Sequence, residues 1–404
     1  MKLASFLALL ASTAGLSHPA LAQEDVLSSD PANQDNATTD EPAPATDSVN
    51  GWSFKPRGRI QLDAGVVDTP DGSGLPDGWG EEVRRARFGF SGTAPGDFGY
   101  KVEVDLASGS VEFADAIITH QAGDVELTAG QHTNFQSLDE VTSSLHTSFL
   151  ERAAFTDAFG FHRRLGISAQ YLNRDVLLQA GVFGESIDSD IDRDWSLDAR
   201  AIYMPEVGGI QLHLAGSAHY AQLGEGEALR YRQRPGVHFT DERFIGTGSF
   251  AAESETGFGL EAAAVAGPFH FAAEGFRQSV DRPVFGDVAF FGGYLEGGYF
   301  LTKGDSRAYK EGQFDRIRPE RPVTAGGPGA VQLNVRYDYL DLVDEEIVGG
   351  KQNALSLAII WAPTATTRLM ADYERLYYDQ AEPTLTGDTS YRVDAFGVRA
   401  QFDF

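Results

Sequence analysis

Hydrophobic and polar residues alternate along most of the chain after Phe54. The segment from Phe396 to Phe404 reads Phe-Gly-Val-Arg-Ala-Gln-Phe-Asp-Phe, so every second residue is apolar. A period of two places these apolar residues on one face of a β-strand, and Arg399, Gln401 and Asp403 on the other. Strands of a transmembrane barrel alternate between lipid and lumen in this way. The pattern predicts a final barrel strand whose apolar face contacts lipid.

Sixteen such segments can be recognised, each about as long as the roughly 9–11 residues of a tilted membrane strand. A seventeenth, Arg243–Glu253, is weak, and single-chain bacterial barrels close with an even number of strands. We therefore predict a loop there and an all-β, 16-stranded antiparallel transmembrane β-barrel. A soluble β-sandwich or propeller is the alternative, but no repeat of blade length is visible. Aromatic residues at strand ends are predicted to form interfacial girdles: Trp52, Tyr203, Tyr294, Tyr299, Trp361, Tyr377 and Tyr378.

Two gaps between predicted strands are unusually long. His132–Arg164 follows the fifth strand and contains Ser137–Arg152, which has a weak helical period, and the second gap is Glu225–Glu242. Long irregular segments in compact structures are usually functional or disordered. The first gap is predicted to fold inward as a constriction loop, because that is how a wide barrel narrows its channel.

The N-terminus has the pattern of an export signal followed by a linker. Residues 1–22 combine Lys2, an apolar core and the small-residue site Ala20-Leu21-Ala22, which predicts a signal peptide. Residues 23–50 carry seven acidic residues and no Lys or Arg, which predicts a disordered acidic linker. The barrel is then predicted over 51–404, exported to the outer membrane of a Gram-negative cell, with no transmembrane helix.

Composition narrows the classes of function. The chain has no cysteine, which excludes disulfides, thiolate metal sites and a cysteine nucleophile. Its net charge of −27 would repel nucleic acid, so that partner class is discarded. No cofactor or metal is predicted. Acidic outer loops are expected to bind divalent cations that bridge lipopolysaccharide, and this expectation rests on composition alone.

Several arginines occupy positions whose alternation places them on the inner face of the predicted barrel. Arg59, Arg85 and Arg87 lie on the polar parity of the first two strands, and a bulge would turn Arg84 inward as well. The other candidates are Arg152 at the close of the long gap and two alternating runs: Arg230, Arg232, Arg234, Arg316 and Arg318. Guanidinium groups stay charged and hold oxyanions through paired N–H donors. A series of weak sites would let an anion hop through the lumen. The alternative is that these arginines form ordinary salt bridges with nearby acids.

Several motifs together resemble one known family. Gly130-Gln-His-Thr-Asn-Phe-Gln-Ser-Leu-Asp-Glu-Val-Thr-Ser-Ser and Phe149-Leu-Glu-Arg152 are similar to the constriction-loop signature of the phosphate-selective porin O and P family. Phe54–Asp63, Arg84–Arg87, Leu301–Lys310 and Gly349–Asn353 match in the same order. The resemblance implies a homotrimeric, sixteen-stranded channel for phosphate or polyphosphate. It implies pore roles for Arg84, Arg85 and Arg152, and less certainly for Arg230, Arg232, Arg234, Arg316 and Arg318.

One position departs from the family pattern. The constriction loop is expected to include His132, Thr142, Ser143 and Ser144, but Glu140 stands where phosphate-specific members carry a lysine. A carboxylate among the donors weakens the positive field met by a dianion. A channel for another anion or small organic solute therefore remains open.

A hydrolase of the same barrel class is a third reading. Four histidines lie near serines and acids in sequence: His120, His132, His146 and His162. No G-x-S-x-G nucleophile motif accompanies them. The chain is therefore predicted not to be an enzyme.

Overall fold

The computed structural model describes residues 50–107, 109–187 and 194–404. The predicted signal peptide, 1–22, and the predicted linker apart from Asn50 lie outside the described residues.

Sixteen long strands form one closed antiparallel sheet. They are β1 (Lys55–Asp68), β2 (Gly78–Ala94), β3 (Phe98–Asp105), β4 (Glu112–Ala122), β5 (Val125–Thr133), β6 (Arg163–Asn173), β7 (Val176–Phe183), β8 (Trp195–Tyr203), β9 (Ile210–Gln222), β10 (Ser254–Ala266), β11 (Phe269–Asp281), β12 (Val288–Phe300), β13 (Ala330–Asp344), β14 (Ile347–Thr364), β15 (Thr367–Asp379) and β16 (Tyr391–Asp403). Each strand pairs with the next, and β1 pairs with β16, so the sheet has no open edge. The predicted 16-stranded barrel is confirmed.

Shorter elements lie between the long strands. The helices are α1 (Leu138–Val141) and α2 (Ala154–Ala158), with a 3₁₀ turn at Val323–Ala325. Short strands pair Ala228–Leu229 with Phe250–Ala251, Arg232–Gln233 with Ile245–Gly246, Ala308–Lys310 with Gln313–Asp315, and Glu206–Val207 with the start of β9. None of the helices in the described part of the chain is long and apolar enough to span a membrane.

Two predictions about the long gaps have different outcomes. Arg243–Glu253 contributes only two-residue strands outside the barrel sheet, so the prediction of a loop is confirmed. The helix suggested by the weak helical period of Ser137–Arg152 is mostly wrong, because only Leu138–Val141 is helical. Ser137 caps this single turn by accepting a hydrogen bond from the Glu140 N–H, and the chain then leaves the helix at Thr142. Side chains of the barrel wall hold the rest of the segment, as described below.

The last strand has the two faces that its sequence predicts. Phe402 is 50% exposed on the outer face, whereas Arg399 on the inner face is 2% exposed. Phe404 and Gly58 exchange backbone hydrogen bonds, which extends the pairing of β16 with β1 to the last residue. Because every backbone group in lipid needs a partner, this pairing explains the closing position of Phe404.

Of the seven residues predicted to form the aromatic girdles, five are exposed and two are buried. The exposed ones are Trp52, Tyr203, Tyr299, Trp361 and Tyr377. Tyr294 is buried and donates a hydrogen bond to Glu274 at 2.8 Å. Tyr378 is buried against Phe244. Both tyrosines have inward parity, which the position of a residue at a strand end does not reveal.

The two ends of the barrel differ in their connections. Most connections at the end where β1 begins and β16 finishes are short, and we call it the turn end. The opposite end, which we call the loop end, carries the long segments 134–162 and 223–253. One long segment, 301–329, lies at the turn end instead. In single-chain bacterial barrels, short turns face the periplasm and long loops face outward.

Candidate functional site

Segment 134–162 is held by arginines of the inner barrel wall. Arg399 donates to the Leu150 carbonyl at 2.8 Å, and Arg368 donates to the Thr147 carbonyl at 2.7 Å. Arg336 donates to the Glu151 carbonyl at 3.3 Å. These donors come from β16, β15 and β13. A hydrogen bond to a charged group is worth about 1.5–3 kcal/mol, so several of them fix an otherwise irregular backbone.

Carboxylates of the wall hold the same segment through its N–H groups. Glu274 on β11 accepts from the N–H groups of Leu138 and Asp139 at 2.9 and 2.8 Å. Asp338 on β13 accepts from the Ala154 N–H at 2.9 Å. These partners and the three arginines lie on β11, β13, β15 and β16, so one continuous part of the sheet holds the segment. The inward fold of the segment stays a prediction.

Aromatic side chains pack together on one side of the segment. Phe155 in α2 stacks on Phe276 with ring centroids 6.1 Å apart, and Phe161 meets the same ring edge-on at 4.9 Å. Phe159 packs edge-on against Tyr231 of the second long segment. This cluster is apolar and buried, so it offers no path to a charged solute.

A polar cavity of about 290 Å³ lies between the segment and the wall. Its charged lining consists of five arginines and five carboxylates: Arg84, Arg87, Arg152, Arg163, Arg234, Asp105, Glu112, Glu140, Glu151 and Asp157. We call this cavity the corridor. Its lining charges balance, in contrast to the acidic chain as a whole.

A β-bulge places Arg84 on the corridor. The register of β1 with β2 shifts between Gln61 and Leu62, whose partners are Arg85 and Val83, so Arg84 is the extra residue. Arg84 donates two hydrogen bonds to Glu151, at 2.9 and 3.0 Å. A bulge re-aims a side chain that strict alternation would point outward. Arg84 therefore lines the corridor, and its role in a pore stays a prediction.

Each corridor arginine is anchored by one or more carboxylates. Besides Arg84–Glu151, the closest approaches are 2.8 Å for Arg87–Asp105, 3.3 Å for Arg152–Glu140, 2.9 Å for Arg163–Asp115 and 3.6 Å for Arg234–Asp157. These ion pairs do not use all the N–H donors of the corridor arginines. Among the described residues, Nη1 of Arg84, Nη2 of Arg87 and Nη1 of Arg152 have no hydrogen-bond partner.

Two carboxylates of the segment differ in their electrostatics. Burial raises the pKa of Glu140 above its ordinary value, and the opposing effect of Arg152 does not cancel it. Burial also acts to raise the pKa of Glu151, but the attraction and hydrogen bonds of Arg84, with that of Arg399, hold it well below the usual range. Acidification therefore neutralises Glu140 long before Glu151.

Several predicted residues lie close to the corridor without lining it. Arg59 donates to the Ser144 hydroxyl at 3.1 Å and the Ser143 hydroxyl at 3.4 Å. Arg85 is buried, donates to Gln61 and has no ion pair within the described ranges. The Thr142 carbonyl accepts from Arg152 at 2.9 Å. Arg59 thus supports the segment from the wall, Arg85 holds Gln61 of β1, and Thr142, Ser143 and Ser144 belong to the segment itself.

Other predicted residues are placed elsewhere. Arg230 and Arg232 are exposed and absent from the corridor lining, because their segment forms only two-residue strands, so strand parity does not apply there. Arg316 pairs with Asp403 at 2.5 Å near the turn end, and Arg318 is exposed. His132 is buried, with its Nε2 2.8 Å from the Ser168 hydroxyl. The pore roles of all these residues stay predictions.

Sequence reasoning missed Arg163 and the wall groups that hold the segment. Arg163 opens β6, and the adjacent pair Arg163-Arg164 was a visible signal. Alternation places Arg336, Arg368, Asp338 and Glu274 on the inner face, but it does not show that they hold the segment, since their partners lie far away in sequence. Within the described ranges, no group of three or more His, Cys, Asp or Glu residues is arranged to hold a metal ion.

Comparison with known proteins shows the family. The family model described as "Phosphate-selective porin O and P" matches residues 54–404. The chain belongs to this family. As a porin of this family with a closed barrel, it is an outer-membrane protein.

Two proteins have sequences similar to that of this chain. A protein of Caulobacter vibrioides described as uncharacterized is 46% identical over 368 residues, which cover 87% of this chain and 74% of that protein. Porin O of Pseudomonas aeruginosa is 28% identical over 402 residues, which cover 87% of this chain and 89% of that protein.

Solved porin structures share the fold. An anion-selective porin from Comamonas acidovorans aligns with a TM-score of 0.57 at 13% identity, covering 87% of this chain and all of that chain. The trimer form of OmpT from Vibrio cholerae aligns with a TM-score of 0.56 at 12% identity, covering 88% of this chain and all of that one. At these identities the similarity concerns the barrel architecture.

Proposed function

We propose that this porin is a passive outer-membrane channel for small anions, with phosphate or polyphosphate as its main solute. The carrying observation is that carboxylates fix the corridor arginines in place, while one terminal nitrogen each of Arg84, Arg87 and Arg152 has no hydrogen-bond partner among the described residues. Membership of the phosphate-selective porin O and P family supports the same solute class.

The anchored guanidinium groups suit transport better than tight binding. A guanidinium that is already paired can still donate its remaining N–H groups to a tetrahedral oxyanion. The neighbouring carboxylate limits how strongly the anion is held there. Conduction requires sites that are favourable enough to enter and weak enough to leave. A row of paired arginines meets both requirements.

The equal numbers of arginines and carboxylates in the corridor lining also support a second candidate function. Five carboxylates accompany the five corridor arginines, and Glu140 stands 3.3 Å from Arg152. A solute that carries both donors and acceptors, such as a small organic acid with hydroxyl groups, would use both kinds of lining group. A general porin of the same fold for such a solute is the alternative to phosphate selection.

Phosphate block of chloride current tests the proposal. In planar bilayers, phosphate is expected to reduce the chloride conductance of the wild-type porin at low millimolar concentration. Arg152→Gln should weaken this block several-fold, because it removes a donor from the corridor. Arg392→Gln, on the outer face of β16, is the matched control and should leave the block unchanged. Absence of block in the wild type would reject phosphate and favour the general porin.

The remaining partners follow from the same proposal. The porin would assemble as a homotrimer surrounded by outer-membrane lipid and lipopolysaccharide, after export by the signal peptide. The solved trimer form of OmpT, which has the same architecture, supports the trimer. Chemical cross-linking in intact outer membranes should trap a species of three chains. Monomers alone would contradict it.

We propose a channel and not a hydrolase. His132 does approach Ser168 at 2.8 Å, but both residues are buried and the imidazole packs against Phe135 and Phe183. His146 is buried among arginines, and burial lowers its pKa well below the usual value. Each of the two histidines is only 9% exposed, which leaves little of either ring for a substrate ester to reach. Hydrolysis of lipid or peptide by the pure porin, lost in His132→Ala, would contradict this.

A further inference from the structure

A second, smaller cavity adjoins the corridor. Glu151 and Arg152 of segment 134–162 line both cavities, and so do Gln233, Gly236 and Val237 of segment 223–253. Inner-face residues of β13, β14, β15 and β16 form its wall. Its volume is about 20 Å³, which is enough for one water-sized particle. We call it the side cavity.

Three wall carboxylates line the side cavity without an ion pair among the described residues: Asp338, Asp372 and Glu374. Asp338 is buried and accepts the Ala154 N–H at 2.9 Å with one oxygen. Asp372 is buried and accepts the Leu150 N–H at 2.5 Å in the same way. The second oxygen of each aspartate has no hydrogen-bond partner in the described part of the chain. Because a buried carboxylate is costly unless a cation or a proton compensates its charge, these groups need a partner.

The arginines that line the side cavity are compensated by other carboxylates. Arg336 pairs with Glu296 at 2.8 Å. Arg152 pairs with Glu140 at 3.3 Å. Glu151, the fourth carboxylate of the lining, has two arginine partners of its own. The ion pairs of the lining therefore leave the three wall carboxylates uncompensated.

A neutral oxygen of the wall also lacks a partner. Gln352 on β14 lines the side cavity and is 1% exposed, and its Oε1 accepts no hydrogen bond from any described residue. The buried Ser356, on the same face of β14, adds a hydroxyl to the lining. Carboxylate, amide and hydroxyl oxygens are the ligands that hard cations prefer.

Strand register brings two of the carboxylates close to these neutral oxygens. Asp338 pairs with Ala354 of β14, and Glu374 pairs with Ser356. Gln352 and Ser356 are the inward residues on either side of Ala354. The small Ala354 side chain leaves room between them. Asp338, Glu374 and the two neutral side chains therefore surround one part of the wall.

The third carboxylate lies too far away to share an ion with Asp338. Asp372 pairs with Ala358, four residues beyond Ala354, which is about 13 Å along the strand. This separation agrees with the finding that, among the described residues, no three acidic or histidine side chains are arranged around one metal. A divalent ion takes six or more oxygens or keeps its own waters, for which a cavity of this size has no space. Two carboxylates with neutral oxygens suit a monovalent ion better.

We propose that the side cavity binds one monovalent alkali cation. Its ligands are Asp338 and Glu374 with the neutral oxygens of Gln352 and Ser356. The cation compensates carboxylates that no arginine of the lining reaches. It also lies beside Arg152 and adds to the positive field of the corridor; this effect rests on the proposed anion channel, whereas the cation site itself does not.

Anomalous X-ray diffraction tests the site directly. Rubidium has the charge of potassium and scatters anomalously, so crystals of the full-length porin are grown in rubidium chloride. We expect a peak in contact with Asp338 and Gln352, and loss of that peak in Asp338→Asn/Glu374→Gln. Glu346→Gln, which removes an exposed carboxylate paired with Arg282, should keep it. A wild-type map without a peak in the side cavity would overturn the proposal and leave protonated carboxyl groups as the explanation.

Thermal unfolding in detergent gives an independent measurement. Sodium, potassium and rubidium chloride are compared with choline chloride at equal ionic strength, because choline is too large for the side cavity. The melting temperature of wild type should be higher by a few degrees in the alkali salts, and Asp338→Asn/Glu374→Gln should lose this difference. Equal melting temperatures of wild type in all four salts would overturn the proposal even if the double variant does not fold. Stabilisation by calcium chloride alone would overturn it as well. Neither experiment measures conductance, so failure here leaves the anion channel standing.

Discussion

Arg84 and Glu151 form a two-point ion pair, with Nε–Oε1 and Nη2–Oε2 distances of 2.9 and 3.0 Å. The pair joins the bulge of β2 to the middle of segment 134–162. Arg399 of β16 also donates to Glu151 at 3.0 Å. One carboxylate thus ties the segment to both strands that flank β1.

Removing Arg84 should loosen this attachment. Arg84→Gln leaves Glu151 with one cation fewer, and we expect the free energy of unfolding to fall by about 1–3 kcal/mol, since a hydrogen bond to a charged group is lost. Thermal unfolding in detergent measures the change, and Arg392→Gln is the control. Adding Glu151→Gln should recover part of the loss. Additive effects of the two substitutions would show that the pair is not coupled.

Glu140 should make anion preference depend on pH. Burial raises its pKa, so it loses its charge as pH falls through a value above the ordinary glutamate pKa of about 4.3. Arg152 is then less compensated, and the preference for anions increases. In Glu140→Gln the preference should already be high at neutral pH. The difference between wild type and variant, measured as reversal potential, should shrink on acidification. A constant difference from pH 8 to pH 4 would be inconsistent with this role.

Gly292 gives Phe155 the room it needs. A Cβ on Gly292 would lie 2.4 Å from the Phe155 Cβ, so Gly292→Ala must displace α2. Overpacking of this kind costs about 1–3 kcal/mol. We expect a lower melting temperature and an altered single-channel conductance. Gly286→Ala is the control, because nothing lies within 4 Å of its Cβ. Equal melting temperatures for both variants would argue against the close contact.

Arg232 and Arg234 should differ sharply although they are neighbours. Arg234 lines the corridor, whereas Arg232 is exposed and does not. Arg234→Gln is expected to reduce the anion-to-cation permeability ratio at least twofold. Arg232→Gln should leave the ratio within experimental error. The reverse order of effects would mean that anions take a route outside the corridor.

The barrel could be predicted from the sequence alone, because barrel strands follow a local rule, the alternation of apolar and polar residues. The alternation that ends in Phe402 and Phe404 needs only nearest neighbours to be read, and the same rule placed Arg399 inside. A departure from it was visible at Arg84, where two adjacent arginines could not both face inward without a bulge. Strand count followed from the same alternation.

The arrangement of side chains inside the barrel could not be predicted, because it depends on contacts between residues that are far apart in sequence. Asp338 binds the N–H of Ala154, which is 184 positions away, and no local pattern shows such a partner. Tyr294 looked like an interfacial aromatic until its bond to Glu274 placed it inside. The alternation of Arg230, Arg232 and Arg234 predicted that all three share one side, but their segment does not form a barrel strand, and of the three only Arg234 lines the corridor. Alternation shows on which face of the sheet a residue lies, but not which distant residue it contacts.

The reversal potential in a tenfold potassium chloride gradient tests the central claim most directly. With the purified porin in a planar bilayer at neutral pH, we predict a potential of the sign set by chloride. Substituting phosphate for chloride on one side should preserve that sign. The potential should move toward zero in Arg152→Gln, which removes a corridor donor. A wild-type potential of the sign set by potassium would contradict an arginine-lined anion channel.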